Sequence, residues 1–191
     1  MSKLNVGFAM TGSFCTFEKS LKLINDLVLS GHNVIPIMSH HACTIDTRFG
    51  KADEIVKKVE ELCGKKIINT IEQAEPIGPK NLLDILVIAP CTGNTLGKMA
   101  NGITDTSVTM ASKSTLRNQR PILIGVSTND ALGASSKNIG MLQNIKNVYF
   151  IPMRQDDPIQ KPSSMVADFD KTPEAIESAI AGKQIQPLIL Q

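Results

Sequence analysis

The chain has 191 residues, 20 of them Lys or Arg and 18 Asp or Glu, for a formal charge of +2. So even a balance, with no basic stripe, argues against a nucleic-acid binder, and six Phe with one Tyr are too few for a base-stacking platform. At 42% hydrophobic and 20% charged, the composition can bury the core of one domain, taken as residues 1–191.

Leu4 to Met10 is a short apolar strand, broken by Thr11-Gly12-Ser13 before a helical pattern with Phe17, Leu21, Ile24, Leu27 and Val28 on one face. Gly31 closes that helix. Val34 to Met38 is the next strand, ending at Ser39-His40-His41, and Lys51 to Cys63 is a second amphipathic helix with Gly64 as its C-cap. A weak strand at Lys66 to Ile68 precedes a loop, Glu75 to Lys80, whose two prolines forbid regular pairing. Ile85 to Ala89 is the strongest buried strand. Helices follow over Thr95 to Ala100 and Thr106 to Arg117, then a strand over Ile122 to Val126. A helix over Ser136 to Ile145, a strand over Val148 to Pro152, a Pro-rich excursion over about 152–165 and a last helix over Pro173 to Ala181 complete the order.

Alternating helices and strands, with the strands apolar on both faces, predict an α/β fold: a doubly wound, Rossmann-like parallel sheet with helices on both faces. No apolar run reaches the roughly 20 residues that span a bilayer, and no signal-peptide pattern opens the chain, so a cytoplasmic protein is expected. Cys15, Cys43, Cys63 and Cys91 form no C-x-x-C pair. Reduced thiols and no metal site are the expectation.

In such a sheet, ligands sit beyond the carboxyl ends of the strands. After the first strand, Gly7-Phe8-Ala9-Met10-Thr11-Gly12 lacks the G-x-G-x-x-G spacing, and the second strand ends in Ser39 where a dinucleotide fold needs an acid. No Walker-type loop is present either. What remains suits a mononucleotide phosphate at Gly12, Ser13 and Ser39; alternatively, Gly12 only makes the turn and Thr11 or Ser13 only caps a helix. The fourth strand-like segment exits into Ala89-Pro90-Cys91-Thr92-Gly93-Asn94-Thr95. Here Gly93 would let a ligand approach the backbone, and Thr92, Asn94 and Thr95 offer hydrogen bonds to a phosphate, a ribityl chain or a heteroaromatic edge. The other reading of this segment is a capping turn beside an inert buried Cys91.

The block from Ala89 to Asp105, with the Thr11-Gly12-Ser13 turn, resembles the FMN-binding flavoprotein family that includes phosphopantothenoylcysteine decarboxylase and flavin prenyltransferase. Together with Glu75 to Lys80, Leu116-Arg117-Asn118, Ser127-Thr128-Asn129-Asp130 and Gln155-Asp156-Asp157-Pro158, it more closely resembles the dipicolinate synthase B-subunit family, from about residue 4 to 168.

The resemblance implies an FMN site built partly across subunits of a homo-oligomer, a role in making dipicolinate for bacterial spores, and a pyridine-nucleotide-binding A subunit as partner. It places Gly12, Ser13 and Ser39 at the flavin phosphate. Pro90, Cys91, Thr92, Asn94 and Thr95 fall at the ribityl chain or ring, with Ser127 and Asn129 beside them. Without the resemblance, Asn129-Asp130 also reads as a helix cap. The family's decarboxylases carry a His shortly before the motif strand; Ile77 to Leu83 holds none, which speaks against decarboxylation. His32 is expected to be solvated at the Gly31 turn, and His40 and His41 are either ligand contacts or an exposed pair.

Dehydrogenation of dihydrodipicolinate is then the expected chemistry, with Lys98, Lys113 and Arg117 either pairing with substrate carboxylates or standing as solvated charges. The alternatives are a non-catalytic subunit that stabilises the A subunit, and a stand-alone FMN-dependent decarboxylase or prenyltransferase.

Overall fold

The computed structural model describes residues 3–191. Seven strands and eight α-helices make up the described residues: β1 (Asn5–Met10), α1 (Phe17–Leu29), β2 (Asn33–Met38), α2 (His40–Thr44), α3 (Ala52–Cys63), α4 (Ile71–Ala74), β3 (Ile85–Cys91), α5 (Gly93–Ala100), α6 (Ser107–Arg117), β4 (Ile122–Thr128), α7 (Ser136–Gln143), β5 (Val148–Phe150), β6 (Met153–Asp157), β7 (Lys161–Ala167) and α8 (Thr172–Ile180); the short helices α2 and α4 are not among the elements the sequence predicts. The first four strands pair in parallel in the order β2-β1-β3-β4. Beyond β4 the sheet divides: β5 runs parallel to its first half at Ile122–Ile124, and β7 runs antiparallel to its end at Ser127 and Thr128.

Strand side chains alternate between two cores because the side-chain period of a strand is 2. Val6, Phe8, Met10, Ile85, Val87 and Leu123 pack under α1, α3 and α8, where Leu23, Ile24, Leu27, Val59 and Ile176 are buried. Ala9, Leu86, Ile88, Ile122, Ile124 and Val126 face the opposite way, against Leu96, Val108, Ala111 and Leu142 of α5, α6 and α7. The doubly wound reading is borne out. Gly64 ends α3 in the left-handed region at φ 62°, where the absence of a Cβ removes the usual steric cost.

Besides α2 and α4, four details depart from the sequence reading. The Pro-rich excursion is a β-hairpin, β6 and β7, hidden by its polar outer residues and by Pro162, which lies on the stretch of β7 that extends past β4 and needs no ladder donor on that side. Lys66 to Ile68 is no strand; only Ile68 bridges the free side of β2, at Ile37. Glu75 to Ile77 is a 3-10 turn following α4, with Pro76 in its first turn, where a proline lacks no needed donor. His32 is 8% exposed, not solvated, and its Nδ1 accepts the Leu4 N–H at 3.3 Å.

Leu96 anchors α5, which opens directly from the end of β3, and is fully buried. Leu96→Ala should cost about 2–5 kcal/mol in chemical denaturation, through lost burial and the cavity left behind.

Candidate functional site

Parallel strands end with carbonyl groups that no further strand residue can satisfy, and here short hydroxyl side chains take them up. Thr11, 1% exposed, donates from Oγ1 to the Pro90 carbonyl at 2.8 Å and accepts the Thr92 N–H at 3.0 Å. Its own N–H also reaches the Pro90 carbonyl, at 3.2 Å. The ends of β1 and β3 are thereby held as one unit. Ser20 of α1 donates to the Ala89 carbonyl at 3.1 Å, and Ser107, the first residue of α6, donates to the Met38 carbonyl at 2.7 Å. The Ser39 N–H completes the row by donating to the Met10 carbonyl at 3.0 Å.

On this frame the expected site residues gather along one edge of the sheet. Ser13 and Ser127 share a hydrogen bond of 2.8 Å, which brings the turn after β1 to the end of β4. Ser13 makes no side-chain cap, so the capping alternative for this turn falls away. Ser39 does cap α2, accepting the Ala42 N–H at 3.4 Å. Pro90 lies within β3 at the point where its pairing with β4 is irregular. Thr92 stands at the start of α5 without capping it; its hydroxyl donates instead to that of Thr95, at 3.3 Å. Asn94 is exposed on the first turn of α5, and Asn129 is exposed after β4, accepting from the Ser164 hydroxyl at 3.4 Å. A Cβ added at Gly12 would be in ordinary contact with the Phe14 ring and the His41 Cβ, at 3.7–3.8 Å, so this turn faces α2 without crowding.

Two expectations at α5 change. Cys91 is fully buried in the core, and burial pushes its thiol far above the ordinary range, so the inert reading holds and its side chain presents no surface at the edge. Gly93 serves packing more than ligand approach. A Cβ there would stand 2.6 Å from Ser135 Oγ, 2.8 Å from Asp130 Oδ1 and 3.0 Å from Thr128 Oγ1.

Asp130 is the centre of that contact, a role that its sequence position gave no hint of. Its Oδ1 accepts from Thr128 at 2.6 Å, and both of its oxygens accept from Ser135 at 3.0 Å. It caps no helix; α7 begins only after Ser135. Thr11 was legible as a turn residue but not as the brace between strands, because its partners are some 80 residues away.

None of the three expected cations stands unengaged at this edge. Lys98 is held by both Asp105 oxygens at 2.8 Å, and that hydrogen bond keeps the Asp105 carboxyl below the usual carboxylate range. Lys113 borders an apolar cavity of about 310 Å³ with Met99, Ile103, Leu116, Leu142 and Ile145. Arg117 ends α6, whose start is fixed at Met38, so it lies about 15 Å away toward the opposite edge. His40 and His41 are both exposed on α2.

The edge thus offers hydroxyls and amides, neutral donors and acceptors whose chemistry fits a polyhydroxyl chain with a heteroaromatic ring, and a glycine turn facing α2. The residues present fit a mononucleotide flavin.

Residues 1–181 match the family model described as Flavoprotein. The chain is 48% identical over 186 residues to the B subunit of dipicolinate synthase of Bacillus subtilis (strain 168), covering 97% of this chain and 93% of that one. It superimposes on the crystal structure of the dipicolinate synthase B subunit from Bacillus halodurans with a TM-score of 0.90 at 45% identity, covering 98% and 96% of the two chains. The crystal structure of an FMN-dependent cysteine decarboxylase has the same fold, with a TM-score of 0.69 at 20% identity over 94% and 97% of the chains.

Gly93→Ala should destabilise the fold by about 1–3 kcal/mol through overpacking. Adding Ser135→Ala should recover part of that loss, as read from a double-mutant cycle in denaturant. In the native state, alkylation followed by peptide mapping should modify exposed Cys15 first. Cys63, whose thiol burial pushes up to about 11, and Cys91 should react only on unfolding.

Proposed function

Since the chain belongs to the flavoprotein family, we propose that it is the FMN-binding subunit of a dipicolinate synthase, acting in the oxidation of dihydrodipicolinate to dipicolinate during sporulation. The observation that carries this reading is the 48% identity to the Bacillus subtilis B subunit over nearly the whole of both chains. The neutral hydrogen-bonding edge described above supports it, as does the absence from the sequence of a dinucleotide fingerprint.

In this proposal Gly12, Ser13 and Ser39 hold the phosphate end of the flavin. Pro90, Thr92, Asn94, Thr95, Ser127 and Asn129 hold its ribityl chain and ring, with Cys91 contributing only backbone. A bound flavin supplies a two-electron acceptor, and the substrate ring gains aromatic stabilisation as it gives up a hydride and a proton. The chain's own part is placement. Thr11 fixes the relative position of the β1 and β3 ends, and the Asp130 cluster fixes where α5 begins, so that donors from separate strands converge without reorganising. The substrate's two carboxylates would have to be met by other cations than Lys98, which Asp105 already occupies.

The pyridine nucleotide would come with a separate A subunit, and homo-oligomerisation would close the edge, which is open in the single chain. No helix among the described residues is long and apolar enough to cross a membrane; we place the protein in the cytoplasm.

The test is titration of the purified chain with FMN, followed by turnover of dihydrodipicolinate with the A subunit. Saturable quenching of flavin fluorescence and flavin-dependent turnover are expected. A complex with the A subunit that turns over with no flavin bound would replace the proposal with an accessory, non-catalytic role. Asn94→Ala with Thr95→Ala should raise the FMN Kd on the order of tenfold or more, since each lost hydrogen bond costs about 1 kcal/mol. An unchanged Kd in the folded double variant would move the site elsewhere.

A further inference from the structure

The flavin site so composed leaves a charge unanswered. FMN differs from riboflavin by a phosphate monoester that is mostly dianionic at neutral pH. Yet Gly12, Ser13 and Ser39 are neutral, and two lysines of flanking elements are engaged: Lys98 by Asp105 and Lys161 by Asp156, each at 2.7–2.8 Å. At the α5 end the Asp130 carboxylate lies against Gly93, so a phosphate there would meet a like charge.

The structure sets the His41 Cβ beside the turn at Gly12. The parallel pairing of β1 with β2 brings Met10 opposite Met38, so the turn at Gly12 lies directly beside the start of α2. The His41 Cβ is 3.8 Å from the position a Gly12 Cβ would occupy. His40 and His41 are exposed, with ring centroids 5.9 Å apart. Other charged and titratable groups flank them: Arg48, exposed in the loop after α2, has its guanidinium 4.8 Å over the Phe49 ring, and Lys51 directly precedes α3. Cys15 and Glu18 follow the turn on the α1 side, and Lys161, paired with Asp156, reaches toward Cys15 from the hairpin. On the α3 side, Asp53, Lys57 and Glu60 border a cleft with Cys43 and Thr44, and Asp46 is occupied by the Ala52 N–H at 2.8 Å.

We propose that His41 is the cation that recognises the phosphate of a bound mononucleotide, making the preference for FMN over riboflavin pH-dependent. The proposal rests on the flavin reading and adds to it the residue that distinguishes the two flavins. A protonated imidazole donates a charge-assisted hydrogen bond to a phosphate oxygen. Imidazole is also the side chain whose ordinary titration falls in the physiological range. An imidazole that gains an anionic partner has its pKa raised in the complex. The added affinity is therefore fully present below the free imidazole's pKa and is lost as pH rises through that of the complex.

The experiment is a fluorescence titration of the whole chain with FMN and, separately, with riboflavin, between about pH 7 and pH 8.5, where the phosphate charge is nearly constant. The ratio of the two affinities cancels whatever affects ring binding alone. In the unmodified chain the FMN preference should fall roughly threefold or more across that range, as one imidazole proton is lost. His41→Gln should show a smaller preference that does not change with pH, and His41→Lys should keep a large preference, equally flat. A pH-independent ratio in the unmodified chain, or an unaltered slope in His41→Gln, overturns the assignment while leaving the flavin site standing. No saturable binding of FMN at any pH overturns the flavin reading itself.

Discussion

The hydroxyl of Thr11 holds the carboxyl ends of the central strands together. It sits at the end of the first strand and, through one oxygen, gives a proton to the Pro90 carbonyl and takes one from the Thr92 amide. Both partners belong to the exit of β3, the strand on the other side of the point where the chain reverses its direction of winding. In an open α/β sheet that point is a crevice, because successive connections leave it on opposite faces. Thr11 prevents the crevice from being a loose gap. Ser20 and Ser107 extend the same device to the Ala89 and Met38 carbonyls in buried hydrogen bonds, and the part-buried Ser13–Ser127 pair ties the turn after β1 to β4.

Charge is distributed unevenly along this edge. At the α5 end, no side chain caps the first turn, but the Asp130 carboxylate lies beside Gly93 and supplies the negative charge that a helix N-terminus favours. Two hydroxyls anchor that carboxylate, so it is a fixed part of the frame. At the other end, where β1 and β2 finish together, α2 carries two imidazoles and the Cys43 thiol and no carboxylate. A ligand with one anionic terminus and a neutral chain therefore has a preferred direction along the edge, with its anion toward α2 and its neutral groups toward α5.

Much of this architecture was legible in the sequence. Buried strands such as Ile85 to Ala89 are continuous apolar runs that can only sit inside a sheet covered on both faces, and helices such as α3 carry their stripe and their terminating glycine in the local sequence. The hairpin of β6 and β7 was not legible, because a two-stranded edge with polar faces and two prolines carries no hydrophobic period to detect. His32 misled for a related reason: a polar residue beside a turn glycine reads as exposed, while its burial depends on the Leu4 N–H reaching it from 28 residues away.

The sequence by itself determined the strands β1 to β5 and the six longer helices, that the central strands are covered on both faces, and that hydroxyl, amide and glycine residues cluster after β1 and β3. These are local properties, set by side-chain period, turn chemistry and capping within a few residues. Only the tertiary structure decided which of those residues meet. Thr11 with Pro90, Ser13 with Ser127, Gly93 with Asp130 and Gly12 with His41 are pairs separated by 29 to 114 residues. Their contact depends on strand order and register, which are fixed by the simultaneous packing of both cores and leave no local trace in the chain.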